Sequence, residues 1–276
     1  MSGISTPLVV CADDYGLESG VDAAIVELAT HGRLSATGCL VNASGFAYSA
    51  AALKDLPIDV GLHLNFTEDL GPPGAYRPLG KLIALAYTGQ LSTTAVRQQI
   101  EQQLDLFHQY MGRAPDFVDG HLHVHQLPLI RTQLIEVLSA RYPGRLPWVR
   151  DTRPAYLART LPFMQRVKAQ VIGALGARAF SVLAQKNGAE QNDGFAGAYD
   201  FSRPHPDYAW MLEQWLMHAR AWTILMTHPA KSASAHLAFG KDRQREFQVL
   251  ESDDFSEMLE RYKLRIARLS TRSAQG

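Results

Sequence analysis

Cysteine is nearly missing from these 276 residues. There are two, Cys11 and Cys39, each inside an apolar stretch and neither in a CxxC spacing. A disulfide framework and a thiolate metal site are therefore disfavoured, and both residues are expected as packed free thiols. An excess of one charge is missing too, because Lys plus Arg and Asp plus Glu each total 27. With no positive surplus, nucleic acid and anionic membrane are not expected as partners. No run approaches the roughly 20 apolar residues of a membrane span. The opening "MSGISTPLVV" lacks the basic and long apolar regions of a secretory signal, so a cytoplasmic location is expected. Neither a repeat at solenoid period nor a low-complexity tract is visible.

What remains is the composition of a folded globular protein, 46% hydrophobic and 20% charged, expected as one domain over residues 1–276. Short apolar or β-branched runs recur at 8–12, 36–41, 58–64, 116–119, 147–150, 222–227 and 263–269. Helical patterns lie between most of them. The stretch 19–31 places Val21, Ile25, Leu28 and Ala29 at helical spacing, with Ser19 as N-cap and Gly32 as stop. Similar patterns occupy 45–54, 92–111, 127–140, 163–186, 206–219 and 242–261, the last broken near Ser252. This alternation predicts repeated βαβ units and an α/β fold built on a mainly parallel sheet; seven or eight strands favour a closed (β/α) barrel. Two Gly/Pro-rich stretches, near 66–91 and 187–205, read as long loops of the kind that border active sites.

The strand ends carry the polar residues. The first run ends in Asp13-Asp14 ("CADDYG"), the third in His63 ("GLHLN"), the fourth in "DGHLHVH" (Asp119, His121, His123, His125), the fifth in Arg150 and the sixth in His228 ("THP"). In a parallel barrel these ends meet at one face. Each alone has an ordinary explanation: an aspartate can cap the next helix, and a lone histidine can be a hydrogen-bonded core residue. "DGHLHVH" differs, because on an extended strand its four polar groups would share one face, a costly way to build a core. Such a strand would set His121 and His125 roughly 13 Å apart at about 3.3 Å per residue, too far for one ion. At most two neighbouring ligands come from it unless the chain bends. The others must come from different strand ends, with Asp14 and His63 as natural donors; two imidazoles and a carboxylate leave room for water and substrate.

The order and spacing of "ADDYG", "GLHLN", "DGHLHVH" and the late "HP", over roughly residues 8–229, resemble the YdjC-like carbohydrate deacetylases, which include chitooligosaccharide deacetylases and hopanoid-biosynthesis-associated relatives. The resemblance implies a distorted (β/α) barrel and metal-dependent removal of acetyl groups from N-acetylated sugars. It makes Asp14, His63 and His121 the metal ligands and Asp13 the general base. Gly120 and Leu122 stand where the family commonly has Ser and His in the third block, and Tyr15 where it commonly has Phe. None of these three is an expected ligand.

The chemistry expected is amide hydrolysis by water on one divalent ion, zinc or magnesium, with Asp13 taking a proton and a histidine protonating the leaving amine. His228 is the candidate acid, with His123 and His125 as rivals. Arg150 is expected beside Asp13 or as a rim salt bridge, and Asp119 as the group that orients a ligating imidazole. Tyr199 or Phe195 would stack on a sugar ring or pack in the interior. A phosphoesterase-type barrel hydrolase and a non-catalytic sugar- or metal-binding relative are the alternatives. A homodimer is left open.

Overall fold

A computed structural model describes residues 5–71, 74–154, 160–201 and 205–274; Pro72, Pro73 and residues 202–204 of the two expected loops lie outside them. The strands are β1 (Thr6–Tyr15), β2 (Ala36–Cys39), β3 (Asp59–Leu64), β4 (Phe117–Gly120), β5 (Trp148–Val149), β6 (Gly194–Ala196), β7 (Thr223–Thr227) and β8 (Leu264–Ile266). The helices are α1 (Ser19–Thr30), α2 (Phe46–Ser49), α3 (Leu79–Tyr87), α4 (Thr93–Met111), α5 (Ile130–Arg141), α6 (Phe163–Ala174), α7 (Ala177–Lys186), α8 (Tyr208–Met217), α9 (Gly240–Glu251) and α10 (Asp253–Arg261). Strand order is β5-β4-β3-β2-β1-β7-β6, and β8 pairs the first residues of β1. Every ladder among the described residues is parallel. Between β5 and β6 the sheet is joined by one bridge, Pro154 to Phe195, so it curls into a distorted barrel with a weak seam.

Strand alternation divides the core in two. Leu8, Val10 and Ala12 of β1 point outward and pack under the helices. Val9 and Cys11 point inward and meet Phe117, Trp148, Phe195, Ile224 and Met226 from the other strands. These side chains fill the barrel as an apolar plug, in which Phe117 and Trp148 stack with centroids 4.1 Å apart. At the N-terminal end Trp148 Nε1 and the Ser270 amide both donate to Asp59 Oδ2, at 3.2 and 2.9 Å, and so tie the chain end across the barrel. One layer above the plug, at the C-terminal ends, the next inward positions are Asp13, His63, Asp119 and Arg150.

Several expectations are corrected. The "DGHLHVH" segment is not an extended strand: β4 stops at Gly120 and residues His121–Gln126 form a tight 3-10 segment, with Leu122 and His123 at φ 52° and 60°. Its polar groups therefore do not share one face. The 66–91 stretch contains α3, and 187–205 contains β6, a strand too short and Gly-rich to stand out by composition. The 163–186 helix is broken into α6 and α7 at Gly176, φ 119°. Glu18, not Ser19, occupies the N-cap of α1. The break at Ser252 and the two buried free cysteines are as expected.

Glycine is required where the plug is thickest. A Cβ at Gly61 would come within 2.4 Å of the Phe117 ring. Gly61→Ala is expected to destabilise the fold by about 1–3 kcal/mol through overpacking, read as a lower urea midpoint; an unchanged midpoint would show that the plug can yield.

Candidate active site

The polar layer is organised around one buried cation. Arg150 follows β5 and is 0% exposed. Its Nη1 and Nη2 donate to Asp13 Oδ2 and Oδ1 at 2.7 and 2.6 Å, and Nη2 also stands 2.6 Å from Asp119 Oδ2. Burial works against ionising either aspartate, but Arg150 and His63 outweigh it, and both carboxyls are held below the usual carboxylate range. Asp119 Oδ1 in turn accepts from His63 Nδ1 at 2.7 Å. That bond fixes the ring so that Nε2 faces Asp14 Oδ1 at 3.5 Å. Gly38 on the adjacent strand lies against this ring, where a Cβ would come within 3.1 Å of Nδ1.

Asp14 reaches the same place by an irregular route. The β1 to β2 register slips between Ala12 and Tyr15, so β1 carries an extra residue there, and Asp14 has φ 71°. β1 does not end at the aspartates but continues through Tyr15. The bulge rotates Asp14 off its outward position, and both acids then face the barrel mouth. A non-glycine residue at positive φ costs about 1–3 kcal/mol. Two partners hold it: Arg243 Nη2 donates to Oδ2 at 2.6 Å, and His121 Nδ1 lies 3.0 Å from Oδ1.

Asp14, His63 and His121 bring one donor atom each within 4.8 Å of one another. Two donors about 2.1 Å from one ion stand roughly 3.0–3.4 Å apart at octahedral or tetrahedral angles, close to the 3.0 and 3.5 Å measured from Asp14 Oδ1. The cluster could therefore hold a metal ion. Burial opposes protonating these imidazoles, yet the surrounding carboxylates prevail: Asp119, Asp13 and Asp14 raise His63, and Asp14 with Glu68 raises His121 to about 9. A strong local preference for positive charge is thus built into the site.

The other histidines separate by environment. His125 is fully buried, donates from Nε2 to the Arg150 carbonyl at 3.0 Å and packs edge-on to Phe180. It does not line the cavity. His123 and His228 do, and burial lowers both, His228 to about 4. Tyr199 is 2% exposed and donates to Glu246 Oε1 at 2.7 Å, and Phe195 is 3% exposed against His123. Both aromatics are packed in the interior, and Tyr199 also lines the cavity. The cavity, about 530 Å³, runs from Asp13, Asp14, His63 and His121 to a rim that includes Leu122, Met164, Val171 and Phe239. Glu68 comes to it from the first expected loop, and Asp200 and Phe201 from the second.

Sequence reasoning missed Arg243 and Glu246. They lie three residues apart on α9, a charged helix that reads as a solvated surface, yet they are 7% and 0% exposed. Glu246 accepts from the His228 amide at 2.5 Å and from the Thr227 hydroxyl, fixing the end of β7. No spacing in the sequence marks either residue.

His125 contributes to a pH dependence of stability that it shares with His123 and His228. Burial holds its pKa at about 4, against about 6.5 when unfolded. The unfolded chain takes up the proton first, so stability falls as pH drops from about 6.5 toward 4, at up to about 1.4 kcal/mol per pH unit. His125→Gln should lessen that slope in urea titrations across this range, leaving the part due to His123 and His228; an unaltered slope would mean His125 is not buried in its neutral form.

The YdjC-like protein family model matches residues 7–261. Among curated proteins, the chitooligosaccharide deacetylase of Proteus mirabilis (strain HI4320) is 39% identical over 131 residues, 45% of this chain and 51% of that protein. The carbohydrate deacetylase of Homo sapiens is 36% identical over 149 residues, 48% of this chain and 45% of that protein. The chain spans about half the length of these relatives. Among solved structures, a protein of Enterococcus faecalis V583 assigned to cellobiose-phosphate cleavage superposes with a TM-score of 0.69 at 18% identity, covering 96% of this chain and 97% of its own. The Bc1960 peptidoglycan N-acetylglucosamine deacetylase does so with a TM-score of 0.52 at 12% identity, covering 97% and 90%. These structures share the fold. With the family match running from β1 through α10, the chain belongs to the YdjC-like family.

Proposed function

We propose that this chain is a metal-dependent carbohydrate N-deacetylase that hydrolyses the acetamide of an N-acetylated sugar, such as an N-acetylglucosamine oligomer, to acetate and the free amine. The observation that carries this reading is the convergence of Asp14, His63 and His121 beside a second carboxylate, Asp13, that a buried arginine holds ionised. The deacetylase names of relatives 36–39% identical over half their length point the same way.

A divalent ion on Asp14, His63 and His121 would supply Lewis acidity, making water nucleophilic near neutral pH and stabilising charge on the acetyl oxygen. Two imidazoles favour zinc over magnesium. The chain's own groups then do the proton work. Asp13 is ionised; its Oδ1 accepts from Arg150 and the Cys11 thiol, whereas Oδ2 keeps a lone pair beyond the one Arg150 occupies, so it can take a proton from attacking water. Asp119 keeps the His63 Nδ1 proton in place and the Nε2 lone pair directed inward. The departing amine needs a proton. His228 lines the cavity with no side-chain hydrogen bond among the described residues, and negative charge building beside it raises its affinity for the proton it delivers. His123 is the rival donor; His125, turned onto the Arg150 carbonyl, is not.

His63→Ala and His121→Ala are expected to lose bound metal by elemental analysis, and full occupancy would place the ion elsewhere. Asp13→Asn should keep metal while acetate release from N-acetylglucosamine oligomers falls about 10²- to 10⁴-fold; near-normal turnover would remove Asp13 from the mechanism. Hydrolysis of a phosphodiester without acetate release would favour the phosphoesterase reading, and neither reaction would favour a binding protein.

A further inference from the structure

The block "GLHLN" gives the site one donor, His63, and leaves Asn65 without a role. Asn65 is nevertheless 0% exposed, and each of its polar atoms is bonded. Its amide donates to Gln103 Oε1 at 2.8 Å, and its carbonyl accepts from Gln99 and Gln103 Nε2 at 3.0 and 2.8 Å. These two glutamines stand one turn apart on α4 and are buried with it. The Asn65 side chain reaches forward along the chain. Its Oδ1 accepts from the Thr67 and Glu68 amides, both at 3.0 Å, and its Nδ2 donates to the Glu68 carbonyl at 2.7 Å. Buried polar side chains are kept where they are fully bonded, and here three of them act together to clamp the backbone of Glu68. The Glu68 side chain is 52% exposed and lines the cavity. A residue half in water needs no such clamp for packing.

Glu68 faces His121. That ring turns Nδ1 to Asp14 Oδ1 at 3.0 Å and Nε2 to Glu68 Oε1 at 3.8 Å. His63 is turned the other way, with Nε2 toward Asp14 Oδ1 and Nδ1 bonded to Asp119. A neutral imidazole that offers one nitrogen to an ion carries its proton on the other, and that N–H is ordinarily held by a carboxylate or a carbonyl. Asp119 fills this place for His63 from the end of β4. For His121, at the head of the 3-10 segment, the acid comes from a loop instead, and the Asn65 clamp supplies the rigidity that a strand would give.

We propose that Glu68 is the positioning residue of His121: its half-exposed side chain rotates to accept the Nε2 proton and leaves the Nδ1 lone pair for a divalent ion, so the two histidine ligands use opposite ring nitrogens. This rests on the reading of Asp14, His63 and His121 as a metal site. Zinc affinity, measured by chelator competition on the metal-stripped full chain, is the direct test. Glu68→Ala should weaken zinc binding about 10- to 100-fold. Glu68→Gln, whose amide oxygen still accepts a hydrogen bond, should recover most of that loss, and both variants should keep the wild-type circular dichroism and urea midpoint. At saturating zinc the KM for an N-acetylglucosamine oligomer should be unchanged, which separates holding a ligand from touching the sugar. In the zinc-loaded protein, nitrogen-15 spectra should place the His121 proton on Nε2 and the His63 proton on Nδ1. Wild-type zinc affinity in Glu68→Ala, a raised KM as its main defect, or a His121 proton on Nδ1 would each overturn the role of Glu68 while leaving the metal site in place. Zinc retained in full by His121→Ala would overturn the metal site itself, and the role of Glu68 with it.

Discussion

The whole polar site depends on how one buried guanidinium is neutralised. An isolated charge in a barrel interior costs several kcal/mol, and Arg150 is tolerated because Asp13 and Asp119 flank it and the Cys11 sulfur lies 3.0 Å from Nη2. Neutralisation also builds geometry. Arg150 joins the ends of β1, β4 and β5, and Asp119 passes the constraint to His63 on β3. Four strand ends are thus cross-linked by charge-assisted bonds that all point toward the mouth. An unpaired Arg150 or Asp119 would be an uncompensated charge in an apolar plug, so the pairing is a condition of folding as much as of chemistry.

On that regular frame, two irregularities bring up Asp14 and His121. Asp13 arrives by ordinary strand alternation; Asp14 arrives by a bulge and a left-handed backbone, strain that Arg243 and His121 absorb. His121 is likewise the first residue of the tight 3-10 segment that turns the chain off the strand direction after Gly120. Local departures from alternation let neighbouring residues take opposite duties: Asp13 pairs with the cation, while Asp14 stands beside the imidazoles.

The cavity has a mixed lining. Strand ends and α9 bring carboxylates, imidazoles and Arg243 to it, and α6, Leu122 and Phe239 bring apolar side chains together with Lys168. The polar groups gather where the strands end, because a parallel sheet delivers all its strand ends to one face.

Much of this was legible in order. The alternation of short apolar runs with helical patterns implied a parallel barrel because periods of 2 and 3.6 are local properties of the chain. Asp13, Asp14, His63, Asp119, His121, Arg150 and His228 stood out because each polar group closes an apolar run, and a parallel sheet gathers such ends on one face. Tertiary structure decided the rest. The bulge at Asp14, the turn at His121 and the removal of His125 from the cavity follow from backbone angles set by packing between strands, which periodicity does not encode. Arg243 and Glu246 sit on a helix whose charged composition matches a solvated face, and only the docking of α9 against the ends of β1 and β7 buries them. Sequence determined which groups end the strands; the fold decided which of them share a site, because convergence depends on contacts between segments far apart in the chain.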